Sequence, residues 1–365
     1  MKFQFWLIGI AGLIVVLGLL SVSWRFYDSQ PIPLDFSALA PVASLTPIVP
    51  ETFAPQPPSL AQLLDNDVTW TTTLSAERVT TLLTTGDVLT ARSVNARTVR
   101  DQDFTWPFVK TADKLQQADI TYINLETPLV SACPVTVTGM IFCGDFRNIE
   151  GLLFAGVDVV NLANNHAGNH DAEGVEETVA ELEKNNLLVS GVHGPVYLTK
   201  EGRTFAFLGY NEVDIQPGIN LAKDELIQQE IKAARQQADI VIVQFHWGIE
   251  YTHQPSSNQK RLARLAIDEG ADIIIGNHPH WFQPVEFYKG KLITYSHGNF
   301  VFDQMWSEET RTGIVGKYHF YDHHLIDAEF LPVYIEEYGQ PRWLEGSHKE
   351  AVLDKLRQES QRLSD

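Results

Sequence analysis

The pattern of hydrophobic and polar positions divides the chain into parts of different character. Residues 3–24 contain no charged side chain and form one apolar run, and a helix needs about 20 such residues to cross a bilayer. Residues 25–76 contain a proline-rich, weakly charged stretch, which is typical of an extended spacer. From residue 77 to residue 335 short β-branched runs alternate with polar, helix-like stretches, and this pattern predicts an α/β domain.

The first apolar segment, residues 1–24, is interpreted as an uncleaved transmembrane anchor. Signal-peptide cores usually run about 7 to 15 residues, and this run is longer. A cleaved signal peptide, with a small-residue site at Ser21 to Ser23, is the alternative. An anchor would leave the short N-terminus inside the cell and would make the chain a single-pass protein of the cell membrane with an extracytoplasmic domain.

Elements outside the central strands are predicted from residue periodicity. The threonine-rich stretch 68–75 is predicted to be an edge strand. In the C-terminal part, 336–365, a hairpin strand is expected at 340–344, followed by a charged, exposed helix at 349–363. The remaining predicted helices are 59–66, 111–117, 173–185, 223–237 and 258–269.

Four predicted strands begin with Asp and end on a side chain that can bind a metal. They are 119–126, 158–165, 239–246 and 272–278, and their last residues are Glu126, Asn165, His246 and His278. Parallel strands of one sheet would bring these ends to the same edge, where α/β proteins keep their sites. One or two polar strand ends are ordinary, whereas four compatible ends indicate a site. Asp87 follows the predicted strand 79–85 and adds a fifth end.

His280 lies two residues after His278, with Pro279 between them. Proline favours extended geometry in the residue before it, so the two imidazoles are expected to point to the same side. Taken alone, the pair could equally be hydrogen-bonded histidines at a strand end. Together with the other strand ends, it is predicted to contribute two metal ligands.

Composition narrows the range of partners. The chain has 365 residues, of which 46 are acidic and 27 basic, giving a formal charge of -19. The electrostatic field of this negative charge repels nucleic acid and anionic lipid surfaces, so we expect no nucleic-acid partner. Small anionic substrates are not excluded, because a bound metal reverses the sign of the charge locally.

The candidate ligands contain oxygen and imidazole nitrogen but no thiolate. This mixture suits Mn, Fe or Zn better than Mg or Ca, and six ligands are about right for two bridged divalent ions. Two such ions against two carboxylates leave a charge of about +2, which attracts phosphate-like anions and lowers the pKa of a bridging water. The predicted ligands are Asp87, Glu126, Asn165, His246, His278 and His280.

Three other features bear on the chemistry. His166 follows Asn165 and could donate a proton to a leaving oxygen or stabilise the transition state, or it could be an outer-shell or helix-capping histidine. His246 and Glu250 are four residues apart, but the preceding strand pattern disfavours a helical metalloprotease motif. Cys133 and Cys143 are expected to form a disulfide outside the cytoplasm, with two unpaired loop thiols as the alternative.

The ordered motifs resemble those of the CapA capsule-synthesis family, the poly-γ-glutamate biosynthesis proteins related to calcineurin-like metallophosphatases. The resemblance spans about residues 80–303 and implies a four-layer α/β/β/α sandwich with a two-metal edge, membrane anchoring, and a role in making or exporting an anionic surface polymer. The motifs are GDVLTAR at 86–92, NLETPL at 124–129, NLANNHAG at 161–168, FHWGIEY at 245–251, GADIIIGNHPH at 270–280 and YSHGNFVFD at 295–303.

The resemblance implies the same six metal ligands as the strand ends, together with His166 as the catalytic histidine and Arg92 as an anion contact. The chain also departs from the family pattern. Metallophosphatases have a histidine two residues after the first Asp, where this chain has Leu89, so one ligand is missing. The segment after His166 reaches Asp171 only with an inserted residue, and His297 replaces the more usual leucine.

These observations support two main hypotheses. The first is a metal-dependent hydrolase of phosphoester type, acting on an anionic surface polymer or a phosphorylated precursor, with other capsule-synthesis membrane proteins as partners. The second is a non-catalytic assembly or polymer-binding subunit, which the loss of a ligand at Leu89 favours. A carboxyl or amide hydrolase is a third hypothesis, because a metal-bound hydroxide also attacks acyl groups.

Overall fold

A computed structural model describes residues 58–364 of the protein. The anchor predicted at 1–24 and the first part of the spacer lie outside the described residues. Between residues 58 and 364, no helix combines the length and the apolar character needed to span a bilayer.

Helices and strands alternate through the middle of the chain. The α-helices are α1 (Leu60–Asp65), α2 (Arg92–Asp101), α3 (Ala112–Leu115), α4 (Ile149–Phe154), α5 (Asp171–Lys184), α6 (Asp224–Arg235), α7 (Ser257–Asp268), α8 (Glu308–Arg311) and α9 (Gly346–Ser364). The strands are β1 (Val79–Val88), β2 (Ile120–Leu125), β3 (Leu129–Val130), β4 (Gly144–Asp145), β5 (Val159–Asn161), β6 (Leu188–Ser190), β7 (Val196–Lys200), β8 (Arg203–Asn211), β9 (Ile240–His246), β10 (Ile273–Asn277), β11 (Val285–Tyr288), β12 (Lys291–Thr294), β13 (Asn299–Val301), β14 (Thr312–Tyr321), β15 (His324–Glu336) and β16 (Gln340–Trp343).

The first large sheet has the strand order β16-β15-β14-β1-β2-β5-β6, and β13 pairs with β1 beyond the end of β14. Strands β1, β2, β5 and β6 are parallel, whereas β14, β15 and β16 are antiparallel to their neighbours. In this register Asp87 lies opposite Asn124, and Asn124 lies opposite Asn161. A row of polar side chains therefore crosses the sheet at the carboxyl ends of its parallel strands.

The second large sheet has the order β11-β12-β10-β9-β8-β7. Strands β8, β9, β10 and β12 are parallel, and the register aligns Asn211, His246 and Asn277 in a second polar row. Both β9 and β10 are buried along their whole length, which explains their nearly continuous run of isoleucine and valine.

The two sheets share one hydrophobic core. Side chains such as Tyr122 and Val159 of the first sheet pack in the same cluster as Phe207 and Ile242 of the second. Helices α2, α4 and α5 contribute to a separate cluster with the first sheet, and α6 and α7 do the same with the second. The predicted mixed α/β class is confirmed.

Several local predictions are wrong. The stretch 68–75 is not an edge strand, because its threonines form a 3-10 helix at Thr69–Thr73 in which their hydroxyls bond to backbone carbonyls three residues earlier. The strand predicted at 158–165 ends at Asn161. The four ligand-bearing strands also do not belong to one sheet, since β2 and β5 lie in the first and β9 and β10 in the second.

The C-terminal helix α9 is not the exposed helix that the charge pattern predicted. Leu353 and Leu356 are buried at 3% and 1% exposure, in the core between the sheets. Arg357 donates from Nε to the carbonyl of Leu64 at 2.7 Å, which fastens α9 to α1. One face of α9 is therefore part of the core, and the charged residues cover the other face.

Candidate metal centre

Asp87 lies at the end of β1, completely buried and held in a fixed orientation. Its Oδ1 accepts hydrogen bonds from the side-chain amides of Asn124 and Asn277, both at 2.9 Å. Its Oδ2 accepts from the backbone N–H of His278 at 3.3 Å and lies 3.3 Å from Nδ1 of His280. Donors from both sheets therefore converge on this one carboxylate.

Glu126 directly follows β2 and is also completely buried. Neither of its carboxylate oxygens has a hydrogen-bond partner within the described part of the chain. Its Oε1 lies 3.9 Å from Nε2 of His246 and 4.0 Å from Nε2 of His166. Burial, and then the negative charge of Asp87, raise the pKa of Glu126 well above its ordinary value. An unpaired carboxylate in this setting needs either a proton or a cation.

His246 ends β9 and faces Glu126 across the gap between the two sheets. Its Nε2 lies 2.8 Å from Oδ1 of Asn165, and its Nδ1 lies 3.3 Å from Nδ2 of Asn124. Burial, reinforced by His278 and His280, holds the pKa of His246 well below its ordinary value. The imidazole is therefore neutral at pH 7, which is the form that binds metals.

His278 and His280 come from the turn that follows β10. The prediction of an extended backbone is wrong here, because φ is +98° at His278 and +59° at His280. Their rings nevertheless lie near each other, with centroids 5.8 Å apart, and the ring of His278 is 4.8 Å from that of His246. Burial lowers the pKa of His278 to about 3, and its Nδ1 is buried without a hydrogen-bond partner among residues 58–364.

His166 lies on the loop after β5 and faces the same gap. Its Nδ1 is 3.0 Å from Oδ1 of Asn169, and that oxygen also accepts from the backbone N–H of Phe142 at 2.7 Å. Because this oxygen can only accept, Nδ1 of His166 carries the proton and Nε2 is left free toward Glu126. The ring stacks on Phe142 at 3.8 Å between centroids, and burial lowers the pKa of His166 to about 4.

Arg92 begins α2 beside this loop. Its guanidinium pairs with Asp303 and lies 4.6 Å above the ring of Phe142. An anion that reached Arg92 would share the guanidinium with Asp303. Cys133 and Cys143 are joined by a disulfide that closes the loop carrying Phe142.

The structure thus brings the predicted ligands and His166 to one place, with Arg92 at its border. Two groups of side chains have ligand atoms within 4.8 Å of one another, one made of Asp87, Glu126 and His246, the other of Glu250, His278 and His280. Glu250 is not among the predicted ligands, because the strand pattern before it disfavours the helical metalloprotease motif to which its spacing from His246 would belong. The asparagines at 124 and 277 were also missed as site residues, although both stand inside the motifs NLE and GNH.

The donor set fits a divalent cation. Glu126 has two buried oxygens and His278 one buried nitrogen without a hydrogen-bond partner in the described part of the chain, and bound cations would satisfy these atoms. Carboxylate, amide oxygen and neutral imidazole together match Mn, Fe or Zn in ligand chemistry. We therefore treat this edge, between the carboxyl ends of the two sheets, as the candidate metal centre.

Comparison with known proteins gives one family match and several relatives. The family model described as bacterial capsule synthesis protein PGA_cap matches residues 81–304. The PGA biosynthesis protein CapA of Bacillus subtilis (strain 168) is 39% identical over 195 residues, covering 49% of this chain and 51% of that protein. The capsule biosynthesis protein CapA of Bacillus anthracis is 35% identical over 215 residues, covering 54% and 52%. The chain spans about half the length of these two relatives.

Solved structures show looser similarity. A hypothetical protein from Thermus thermophilus aligns with 70% of this chain and 100% of its own, at 17% identity and a TM-score of 0.48. A novel phosphatase from Mycoplasma pneumoniae aligns with 72% of this chain and 95% of its own, at 13% identity and a TM-score of 0.46.

Proposed function

Because the chain belongs to the bacterial capsule synthesis protein PGA_cap family, we propose that it is a metal-dependent hydrolase acting in the synthesis or export of a capsule or poly-γ-glutamate-like surface polymer. The observation that supports a metal-dependent activity most directly is Glu126. Its carboxylate is fully buried, has no hydrogen-bond partner within the described residues, and faces two histidines at about 4 Å. A fold does not keep such a group without a compensating cation or proton.

The layered arrangement supports a metallophosphatase-type fold. Two sheets pack face to face, and helices cover their outer faces, which corresponds to a four-layer α/β/β/α sandwich. In such a fold the carboxyl ends of strands from both sheets line one edge, and in this chain that edge carries Asp87, Glu126, His246 and the turn of His278 and His280.

We propose that the centre holds two divalent transition-metal ions of the Mn, Fe or Zn class. Asp87, Glu126, Asn165, His246, His278 and His280 would hold them, because each offers oxygen or neutral imidazole nitrogen. When bound, the ions would supply a hydroxide nucleophile at neutral pH and would neutralise the negative charge of a phosphoester. The net acidity of the chain does not oppose this, since the field at the site is set by the ions.

His166 and Arg92 would assist from the border of the site. With Nδ1 of His166 committed to Asn169, its Nε2 is the atom that would accept or return a proton near the leaving oxygen. Arg92, fixed by Asp303 and by the ring of Phe142, would orient an anionic group of the substrate. The reaction class is phosphoester hydrolysis, on the polymer itself or on a phosphorylated precursor.

The proposal is tested by metal analysis of the full-length chain, purified in detergent, combined with a substrate screen. The expected result is stoichiometric Mn, Fe or Zn together with hydrolysis of a phosphodiester or phosphomonoester. His166→Ala should keep the metal and lose at least about 100-fold in turnover, the range of general acid–base contributions. A chain that binds no transition metal would refute the proposal, and turnover of amide but not phosphoester substrates would redirect it to acyl chemistry.

A second candidate is a non-catalytic assembly or polymer-binding subunit, and Leu89 favours it. The side chain of Leu89 is fully buried in an apolar cluster with Phe142, Phe302 and Ile335. The position two residues after Asp87 therefore supplies no ligand. This candidate predicts that the purified chain binds an anionic polymer with an affinity that His166→Ala leaves unchanged. Metal-dependent turnover that disappears in the same variant would exclude it.

We further propose that residues 1–24 anchor the protein in the cell membrane and that the spacer holds the domain on the extracytoplasmic side. The apolar run in the sequence and the Cys133–Cys143 disulfide support this placement, because structural disulfides persist in oxidising compartments. Partners would then be the surface polymer and other membrane proteins of its synthesis. Protease digestion of intact cells should remove the domain, whereas protection until lysis would contradict the proposed side.

A further inference from the structure

The chain that follows β9 brings Glu250 to the turn that carries His278 and His280. Gly248 bends the backbone with φ of +90°, and a Cβ at this position would collide with the side-chain amide of Gln259. Two backbone hydrogen bonds then fix the register between the segments. Trp247 donates to the carbonyl of Asn277 at 3.1 Å, and Tyr251 donates to that of Pro279 at 2.9 Å. The position of Glu250 is therefore set by the backbone on both sides.

Glu250 completes a group of three ligand side chains. One ligand atom each from Glu250, His278 and His280 lies within 4.8 Å of the others. The two histidines have positive φ, a strained conformation that folded proteins retain mainly where it serves a site. The turn at these two positions places a ligand atom of each ring close to Glu250.

A second observation, independent of the spacing, indicates that this group is built for a ligand. His278 is 3% exposed, and its Nδ1 is buried with no hydrogen-bond partner between residues 58 and 364. His280, by contrast, is oriented through Nδ1 by Oδ1 of Asn299 at 2.9 Å. A histidine that binds a metal ion usually has its other ring nitrogen hydrogen-bonded, as His280 has to Asn299.

We propose that Glu250 is a metal ligand, which together with His278 and His280 holds one divalent cation and replaces the ligand missing at Leu89. This inference rests on the proposed metal-dependent function and extends it to a specific residue. The second cation position is then made of Asp87, Glu126 and His246, with Asn165 beside it. Three carboxylates instead of two reduce the charge of the loaded centre from about +2 to about +1, so the site should hold a phosphoester less tightly than a centre with an extra imidazole.

The test compares metal content and affinity in the full-length wild-type chain and in Glu250→Gln, using Mn²⁺ and Zn²⁺ separately as the only added metals. We expect the wild type to bind two ions and Glu250→Gln to retain about one, with the affinity of the lost site reduced at least about 100-fold, beyond the typical loss for an outer-shell partner. The matched control is Glu212→Gln. Glu212, which follows β8, accepts from the backbone N–H of Gly248 at 3.0 Å, so this variant removes a carboxylate that contacts the loop of Glu250 without removing a ligand.

The possible results separate this inference from the proposed function. If the wild type and Glu250→Gln both bind two ions with equal affinity, Glu250 is not a ligand, and the proposed metal-dependent function is unaffected. No ion in the wild type would overturn both. Equal loss of metal in Glu212→Gln would assign the effect to loop displacement and would also overturn the ligand role. Circular dichroism and melting of the metal-free variants establish that each one is folded before its metal content is compared.

Discussion

Replacing Glu126 with glutamine should affect the metal-free and metal-loaded protein in opposite directions. The carboxylate is fully buried, its oxygens have no hydrogen-bond partner in the described chain, and burial raises its pKa. Glutamine has nearly the same shape but no charge, so the metal-free variant should be at least as stable as the wild type at pH 8. The same change removes a ligand, so the variant should lose the stabilisation that metal gives to the wild type.

The raised pKa of Glu126 also fixes the sign of the pH dependence. Between the ordinary value of 4.5 and the higher value in the folded protein, the folded state holds a proton that the unfolded chain has released. As pH rises above about 4.5, the titration of Glu126 therefore lowers the free energy of unfolding of the metal-free wild type. Glutamine does not titrate. The free energy of unfolding of the variant should therefore exceed that of the wild type by an amount that grows between pH 4.5 and the raised pKa of Glu126 and is constant at higher pH.

The size of the metal effect follows from mass action. A cation present at about 100 to 1,000 times its Kd stabilises the folded state by about 2.7 to 4.1 kcal/mol. For the part spanning residues 58–364, about 300 residues, the entropy of unfolding is about 0.6 kcal/mol/K near 60 °C. Each bound ion should therefore raise the Tm of the wild type by about 4 to 7 °C, and Glu126→Gln should lose the rise that comes from the ion held by Glu126.

The measurement is thermal unfolding of the full-length chain in detergent, stripped with a chelator and then titrated with Mn²⁺ or Zn²⁺ at pH 5 and pH 8. The matched control is Glu183→Gln on the exposed face of α5, which should behave like the wild type in every condition. The reasoning fails if Glu126→Gln keeps the full metal-induced rise in Tm. It also fails if the metal-free variant is clearly less stable than the wild type at pH 8.

Three further changes test other parts of the structure. Asn169→Ala should lower turnover by about 10- to 100-fold with unchanged metal content, because Asn169 orients His166; an unchanged rate would show that the contact is dispensable. Replacing Cys133 and Cys143 together by serine should lower the free energy of unfolding by about 3 kcal/mol, given their sequence separation of 10, and equal denaturant midpoints would contradict this. Leu356→Ala in α9 should cost about 2 to 5 kcal/mol in urea unfolding, whereas a loss below about 0.5 kcal/mol would mean that the helix is peripheral.

The mixed α/β class and the identity of the ligand types could be predicted because both depend on local sequence. A buried parallel strand has a nearly continuous apolar run, and the run in β9 ends at His246 within one element. The helices α5, α6 and α7 begin and end within two residues of their predicted limits, since their periodicity is regular. The family motifs were readable for the same reason, because each is a short continuous segment made of strand residues and the loop residues next to them.

The features that were missed depend on contacts between distant segments. Nothing in the strand pattern distinguishes one sheet with four ligand-bearing strands from two sheets that face each other, as β2 and β9 do here. The threonines at 69–73 have high β propensity, but they bond to their own backbone in a short turn of helix. Glu250 reaches His280 only because Tyr251 is hydrogen-bonded to the carbonyl of Pro279, a contact that sequence spacing cannot reveal.

Asparagine side chains give the two central carboxylates different roles. Asp87 is fixed by two amides, and Asn124, one of these donors, has its own Oδ1 occupied by the amides of Asn161 and Asn164. A lysine or arginine could also fix a buried carboxylate, but its charge would occupy the place of a cation and repel one nearby. Neutral amides orient Asp87 without that competition, while Glu126 receives no donor from the described chain. The geometry of Asp87 is therefore built into the fold, and the charge of Glu126 is left for a metal ion to compensate.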